Sequence, residues 1–350
     1  MATPTRVAAC HVAPIFLSAG ETTQKAVSLI EQAARNQAHI VVFPESFIPA
    51  FPVWSAVRSP PENHDLFKRM AIESIYADGE EIHAIRAAAK NNRVMVSVGF
   101  SEKVRTSYGT MYNSNMIISN QGEILVHHRK LVPTFFEKLT WAPGDGHGLQ
   151  VAETPVGKIG NLICGENTNP LARYALIAQG EQIHISTWPA IWPTRMPASA
   201  SEDEKPTGKS MAGNYDNVVA NRTRAAAHCF EAKCFGVLCA TVLGTDTIEM
   251  VSSGLPRVSQ TLRDSQRGAT MFLDPTGALL EGFTIDEQSQ TREPTPFLQH
   301  SEGVLYADLN LDHCFEGKQY HDIVGGYQRL DVFNLHVNRE RRRPIYFTEM

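Results

Sequence analysis

Short apolar runs alternate with amphipathic stretches along nearly the whole chain, and that alternation restricts the fold more than any other feature. Val7 to Val12 reads as a strand, and Thr22 to Ala38 reads as a helix with Ala26, Ile30, Ala33 and Ala34 on one face. His39 to Phe43 is an apolar run stopped by Pro44, the pattern of a strand buried on both sides. A helix over Glu80 to Asn91 and a strand over Arg93 to Phe100 follow. Met111 to Ser119 and Glu123 to His128 flank the turn Asn120-Gln121-Gly122, a hairpin signal. A helix over Tyr215 to Lys233, a strand over Phe235 to Val242, a hairpin centred on Asp274-Pro275-Thr276-Gly277 and a strand over Val304 to Asn310 complete the series. The expected class is α/β. No repeat or internal boundary is visible, so one domain over residues 1–310 is expected, with 311–350 as a C-terminal extension.

Composition narrows the function classes. With 43% hydrophobic and 20% charged residues the chain has ample material for a large core. A net charge of −5 gives no electrostatic reason to expect nucleic acid or an anionic membrane surface. The cluster Arg339, Arg341, Arg342 and Arg343, interrupted by Glu340, reads as a solvated or inter-subunit surface. The N-terminus has no cationic segment followed by a long apolar one, so neither a signal peptide nor a membrane helix is expected. Six cysteines are too sparse for a disulfide scaffold, and a reduced, cytoplasmic protein is the natural reading. Cys229, Cys234 and Cys239 recur every five residues, which is no usual zinc spacing and reads as core packing. Residues 189–214, rich in Pro, Ser, Gly and charge, form the longest irregular insertion, a candidate lid, binding loop or assembly contact.

Cys164 stands where the apolar stretch Gly160-Asn161-Leu162-Ile163 breaks into Gly165-Glu166-Asn167. The helix that follows is strongly signalled: Asn169 as cap, Pro170 in the first position, Gly180 as the left-handed stop. Leu171, Tyr174, Ala175 and Ala178 mark its expected buried face, and Gln182 to Trp188 resumes as a strand. Cys164 therefore lies at a strand-to-helix junction in a βαβ unit, where a backbone N–H and a helix start can stabilise negative charge. Two readings remain open on position alone, a small buried hydrophobe or a nucleophile.

Two more ionisable groups end apolar strands. Glu45 follows Pro44 among Phe43, Phe47 and Phe51, and Lys130 follows the strand Glu123 to His128. Each alone is ordinarily a solvated loop charge, but ligands of α/β sheets collect beyond the strands' carboxyl ends, and all three lie there. A thiol is mostly protonated at neutral pH, so a carboxylate base beside it raises its reactivity. Glu45 suits that task, and Lys130 suits stabilisation of the negative charge that develops when a thiolate attacks an unsaturated carbon. Glu137, seven residues beyond Lys130, offers a second carboxylate.

Three segments carry a family resemblance: Val41-Val42-Phe43-Pro44-Glu45-Ser46-Phe47, His128-Arg129-Lys130-Leu131-Val132-Pro133-Thr134, and Cys164-Gly165-Glu166-Asn167. In this order they resemble the signature regions of the nitrilase branch of the carbon-nitrogen hydrolase superfamily, over about residues 5–335. Phe135-Phe136-Glu137-Lys138-Leu139, Trp141-Ala142-Pro143-Gly144-Asp145-Gly146 and Tyr327-Gln328-Arg329-Leu330-Asp331-Val332-Phe333 are similar to flanking and C-terminal family segments. The resemblance implies a four-layer α-β-β-α sandwich, Glu45 as general base, Lys130 as charged stabiliser, Cys164 as nucleophile and Glu137 as the second glutamate that positions the lysine. It implies the Gly165 N–H as a further donor to the developing charge, and no metal or organic cofactor. It also implies a homo-oligomer built from dimers and able to extend into spirals or filaments, with the 189–214 insertion and the C-terminal tail as contacts.

The implied reaction is hydrolysis of a nitrile to a carboxylic acid and ammonia through a cysteine thioimidate and thioester, with amide as a by-product. Phe51, Trp54, Trp188 and Trp192 lie near the Glu45 and Cys164 segments, which suits an aryl or arylaliphatic substrate, although core packing explains each equally well. The wording from Cys164 to Tyr174 looks most like microbial arylacetonitrilases. Many relatives carry Trp after the cysteine, and Gly165 departs from that. An amidase, an N-carbamoyl hydrolase or a cyanide hydratase would use the same residues, and a non-catalytic filament subunit would leave them vestigial. Other motifs fail: Thr207-Gly208-Lys209-Ser210 lacks the earlier glycine of a phosphate loop, with Asp203 in its place, and no strand precedes it. Gly144, Gly146 and Gly148 lack dinucleotide-loop spacing, and no Gly-x-Ser-x-Gly elbow occurs.

Overall fold

The computed structural model describes residues 4–196, 214, 216–343, 345 and 348. Most of the insertion, 197–213, lies outside the described residues, as do Thr207 to Ser210 and Tyr215. The first sheet has eight strands in the order Arg292–Thr295, Gly282–Ile285, Gly303–Leu309, Thr5–His11, Ile40–Val42, Met95–Val104, Ser107–Ile118 and Ile124–Arg129. Its three central members, Thr5–His11, Ile40–Val42 and Met95–Val104, run parallel, and antiparallel pairs flank them. The second sheet is built on parallel Gly157–Ile163, Ile183–Trp188 and Phe235–Ala240, flanked by Ala152–Thr154 on one side and Thr270–Leu273 on the other.

The period-two alternation of each strand decides the layers. Val7, Ala9, Ile40 and Val42 of the first sheet meet Ile159, Ile183, Ile185 and Val237 of the second in one buried layer. The intervening residues Ala8, Cys10 and Val41 turn the other way, onto Ala26, Ile30 and Ala33 of helix Ala19–Arg35 and Ile82 and Ile85 of helix Glu80–Asn92. On the second sheet's outer face Leu238 and Ala240 pack with Ala225, Cys229 and Ala232 of helix Asn217–Ala232. Leu162 packs with Ala172 and Leu176 of helix Pro170–Ile177. The result is the four-layer α-β-β-α sandwich. Each fully buried Val or Ile in these layers contributes about 2 kcal/mol.

Two expectations need correction. The helix after Cys164 buries Ala172, Ala175 and Leu176, while Leu171 is 61% exposed. The apolar stripe is rotated by one residue because Leu171 and Tyr174 line a groove with Ile323, Leu330 and Phe333 of the C-terminal extension. The arginine cluster is not simply solvated: Arg341 reaches back to Asp145 at 3.1 Å and to the His127 carbonyl at 2.7 Å, and the Arg342 N–H donates to Asp145. Helices His64–Glu73, Thr245–Ser252 and Pro256–Asp264 were not expected; their short, mixed patterns sit between Pro- and Gly-rich turns. Cys229, Cys234 and Cys239 are buried in the core as expected, and all six cysteines are free. Among the described residues no helix is long and apolar enough to cross a membrane.

Candidate active site

The strand Ile40–Val42 ends at Phe43-Pro44, and Glu45 is the next residue. Gly99 on the neighbouring strand leaves the space this loop needs, because a Cβ there would overlap Pro44 O. Ser46, just past Glu45, adopts φ 46°, which turns the chain sharply away. On the adjoining hairpin strand, Asn113 serves two neighbours at once. Its side-chain Nδ2 donates to Glu45 Oε1 at 2.7 Å, and its carbonyl accepts the Lys130 N–H at 2.8 Å.

Lys130 follows strand Ile124–Arg129, and its buried Nζ donates to Glu45 Oε1 at 3.0 Å and to both Glu137 oxygens at 2.8 and 2.7 Å. Glu137 is aimed by a capping box: it sits third in the short 3₁₀ helix Phe135–Leu139, and its Oε2 accepts the Thr134 N–H at 2.8 Å. Cys164 closes from the other sheet, at the end of Gly157–Ile163, in a left-handed conformation with φ 51°. A non-glycine residue held there stores roughly 1–3 kcal/mol, tolerated because the surroundings fix it. Its Sγ and carboxylate oxygens of Glu45 and Glu137 all lie within 4.8 Å of one another. The three strand ends do not share one sheet, as the sequence suggested: Glu45 and Lys130 come from the first and Cys164 from the second, so the site straddles the sandwich.

The electrostatics follow from burial. Burial pushes the Glu45 carboxyl up to about 7, helped by Glu137 and opposed by Lys130. Burial likewise raises Glu137, against the pull of Lys130. Lys130 is held well above the ordinary lysine value, since Cys164, Glu137 and Glu45 together outweigh its desolvation. The Cys164 thiol is raised by burial and by Glu45, with Lys130 and Arg224 pulling it down. The resting site therefore holds a protonated thiol, a cationic lysine and two carboxyl groups that share its charge. Glu45 Oε2 has no hydrogen-bond partner among the described residues.

The carbon-nitrogen hydrolase family model matches residues 6–319. The chain belongs to the carbon-nitrogen hydrolase family. It is 30% identical to a nitrilase from Penicillium rubens over 346 residues, covering 98% of this chain and 96% of that one. An arylacetonitrilase from Hypocrea virens is 31% identical, with 96% and 92% covered. A solved carbon-nitrogen hydrolase from Helicobacter pylori superposes with a TM-score of 0.64 at 20% identity, over 90% of this chain and 92% of that one.

Around this hydrolase site the structure brings some of the remaining sequence candidates together and separates others. Phe51 meets Phe136, Trp141 and Trp192, with ring centroids 6.5, 5.6 and 6.1 Å away, and Trp192 stacks on Phe136 at 4.3 Å. Phe136 is chain neighbour to Glu137, so Phe51 and Trp192 belong to the wall beside the Glu45, Lys130, Glu137 and Cys164 cluster. Trp54 sits deeper in that apolar cluster, edge-on to Phe16 at 6.1 Å. Trp188 lies instead with Cys164 in the cluster under helix Asn217–Ala232, with the Arg224 guanidinium 5.5 Å over its ring. A Cβ on Gly165 would stand 2.6 Å from Thr134 Oγ1, so the missing side chain leaves room for the residue that caps the Glu137 helix.

Four residues near the site escaped the sequence reading: Asn113, Phe136, Glu166 and Asn167. Glu166 accepts from the Ile163 N–H at 2.7 Å, the Leu131 N–H at 3.0 Å and His128 Nε2 at 2.7 Å. It thereby ties the turn before Cys164 to the strand end that carries Lys130, across the two sheets. Its carboxyl is buried, yet His128 and the two backbone donors hold it below the usual range. The available signal was the acidic residue two places after Cys164, just past the end of the apolar run Leu162-Ile163.

Proposed function

We propose that this hydrolase converts an organic nitrile, aryl or arylaliphatic, to the carboxylic acid and ammonia. The observation that carries the reading is the buried cluster in which one ammonium bridges two carboxyl groups beside a free cysteine. Cys164 Sγ attacks the nitrile carbon while its proton passes to Glu45 Oε2. Charge growing on the nitrile nitrogen is met by Lys130 and by the Gly165 N–H; one such donor contributes about 3–4 kcal/mol to the transition state. Glu45 hands that proton to the nitrogen, giving the thioimidate, and is again free to deprotonate an attacking water; the proton from that water and the one from the hydroxyl it leaves on carbon bring the nitrogen to ammonia, whose expulsion leaves a thioester. A second water releases the acid and restores the thiol. Glu137 holds the lysine in place and shares its proton traffic. If the intermediate expels the thiolate instead of ammonia, the product is the amide.

Phe51 and Trp192, packed on Phe136, supply the apolar wall that suits an aromatic substrate group; Trp54 backs that wall, and Trp188 packs beside Cys164. We assign catalysis to residues 1–310 and assembly to 311–350. Exposed Leu171, Tyr327, Leu330 and Phe333 form the apolar surface that a second copy of the chain covers in a dimer, able to extend into a filament. Six free cysteines suit a reducing compartment, the cytoplasm. Product-resolved assays on phenylacetonitrile, a small aliphatic nitrile, cyanide and the matching amides test the reaction. Acid and ammonia from phenylacetonitrile are expected; turnover of amides alone would mean an amidase, and of cyanide alone a cyanide hydratase.

A further inference from the structure

Lys130 leaves the first sheet from its outermost strand, Ile124–Arg129, which has a hydrogen-bonded strand on one side only. An edge strand is the least restrained place in a sheet, and a cation that must keep a fixed position needs a support on the open side. Side chains pin the strand's two faces: His128 Nε2 lies 2.7 Å from Glu166 on the inner one, and Arg129 Nε donates to Glu102 at 3.0 Å on the outer one. Within the sheet the Lys130 N–H is taken by the Asn113 carbonyl. The Lys130 carbonyl accepts instead from the Gly144 N–H at 2.9 Å, in a loop that packs along the strand.

Gly144, Gly146 and Gly148, whose spacing suits no dinucleotide loop, have a different use here. A Cβ on Gly144 would overlap the Arg129 and Lys130 carbonyls, and one on Gly148 would overlap His128. A Cβ on Gly146 would overlap the Asn338 carbonyl of the C-terminal extension. The loop is therefore pressed between the Lys130 strand and the tail. Arg341 fastens the stack, with Nη2 donating to the His127 carbonyl at 2.7 Å and Nη1 to Asp145 Oδ1 at 3.1 Å. The Arg342 N–H donates to Asp145 Oδ2 at 3.1 Å, and the Arg339 carbonyl lies 3.1 Å from His147 Nδ1. Asp145 is buried, and its Oδ1 also accepts the His147 N–H of its own turn. One guanidinium thus joins the strand, three residues before Lys130, to the loop that holds the Lys130 carbonyl. Charge-assisted bonds of this kind are the stronger class.

We propose that Arg341 is a positioning residue: it straps the C-terminal extension over the Asp145 loop and so fixes the Lys130 ammonium between Glu45 and Glu137. This role is separate from the assembly assigned to the tail. It rests on the reading of Lys130 as the cation that meets the developing charge.

The full-length Arg341→Ala chain, assayed on phenylacetonitrile well below its melting temperature, tests the strap. Its kcat is expected to fall about 10- to 100-fold with KM within about 3-fold of the unaltered value, the signature of a displaced transition-state group. Millimolar guanidinium, able to occupy the emptied place between Asp145 and the His127 carbonyl, is expected to restore kcat about 10-fold while leaving the unaltered protein's kcat unchanged. A kcat within about 2-fold of the unaltered value overturns the proposal, and so does a loss that neither guanidinium nor Arg341→Lys reverses in part. Failure of the underlying reading would look different, since the unaltered chain would then release no acid from any nitrile.

Should Arg341→Ala fail to fold, hydrogen exchange of the unaltered chain decides, because coupling between tail and site is reciprocal. Phenylacetaldehyde serves as probe: the Cys164 sulfur bonds to its carbonyl carbon, the C=O bond becomes single, and the thiol proton ends on that oxygen, within reach of Lys130. Formation of this adduct, seen as a mass increase, is expected to slow exchange about 3-fold or more in the peptide that carries Arg341 and Arg342. Unchanged exchange in that peptide with the adduct formed overturns the proposal, and absence of the adduct counts against the nucleophile reading on which it rests.

Discussion

At Glu45 two effects compete, and in the proposed mechanism their balance sets the pH range of activity. Burial raises the carboxyl to about 7 even though Lys130 sits 3.0 Å away. A base must be ionised to take the thiol proton, so kcat/KM is expected to rise with pH and level off above about 7, as read from ammonia release. Glu45→Gln removes the base and is expected to lower kcat by about 10²–10⁴-fold at every pH. Lys130→Ala leaves Glu45 and Glu137 facing each other without a cation. Carboxyl groups with raised folded values favour the fold while protonated, and that contribution fades as pH climbs from the unfolded value near 4.5 through the folded one. That variant should therefore melt lower at pH 8 than at pH 6, by more than the unaltered protein does, besides losing turnover.

The site is assembled from strand ends, and the elements' own residues fix how they turn. Asn169 Oδ1 accepts from the Leu171 and Ala172 N–H groups, so Asn169→Ala should cost about 1 kcal/mol in urea unfolding while sparing KM. Glu166→Ala strips a partner from two backbone N–H groups and His128, all near the junction of the sheets. A loss of about 3–5 kcal/mol is expected, the scale for breaking a buried charged network. At this scale much was legible: the strands before Glu45, Lys130 and Cys164 announce themselves as apolar runs stopped by Pro, charge or Gly. Glu137 followed from its spacing to Lys130, once a family pattern was recognised. Asn113 and Asn167 were not legible, because a polar residue inside a strand or turn declares its partner only when the third dimension brings that partner near. Leu171 misled for a related reason, since a helix between a sheet and a docking tail has two apolar sides.

Over the whole molecule, α/β class and layer order came from periodicity and resemblance, whereas the division of strands between two sheets did not. No local pattern says that Ile40–Val42 and Gly157–Ile163 belong to different sheets; that is decided by which apolar faces meet in the middle. The same buried polar groups shape stability in acid. Glu181 and Glu166 are depressed, so their stabilisation is present above about 4.5 and is lost as pH falls toward their folded values. His228, lowered to about 4, adds to this, because the unfolded chain takes up its proton from about 6.5 downward. Between about 6.5 and 4.5 the raised Glu45 and Glu137 offset His228, so melting temperature should fall chiefly below about pH 4.5; a flat profile there would contradict the buried pairings.

The central claim is that Cys164 becomes covalently attached to the nitrile carbon. Rapid-quench mass spectrometry of the full-length protein mixed with phenylacetonitrile tests it most directly. A mass increase matching the thioimidate or phenylacetyl thioester is predicted, mapped to the peptide that contains Cys164 and absent from Cys164→Ala, which should release no ammonia. An unmodified Cys164 during steady turnover, or ammonia release by Cys164→Ala, would contradict the account.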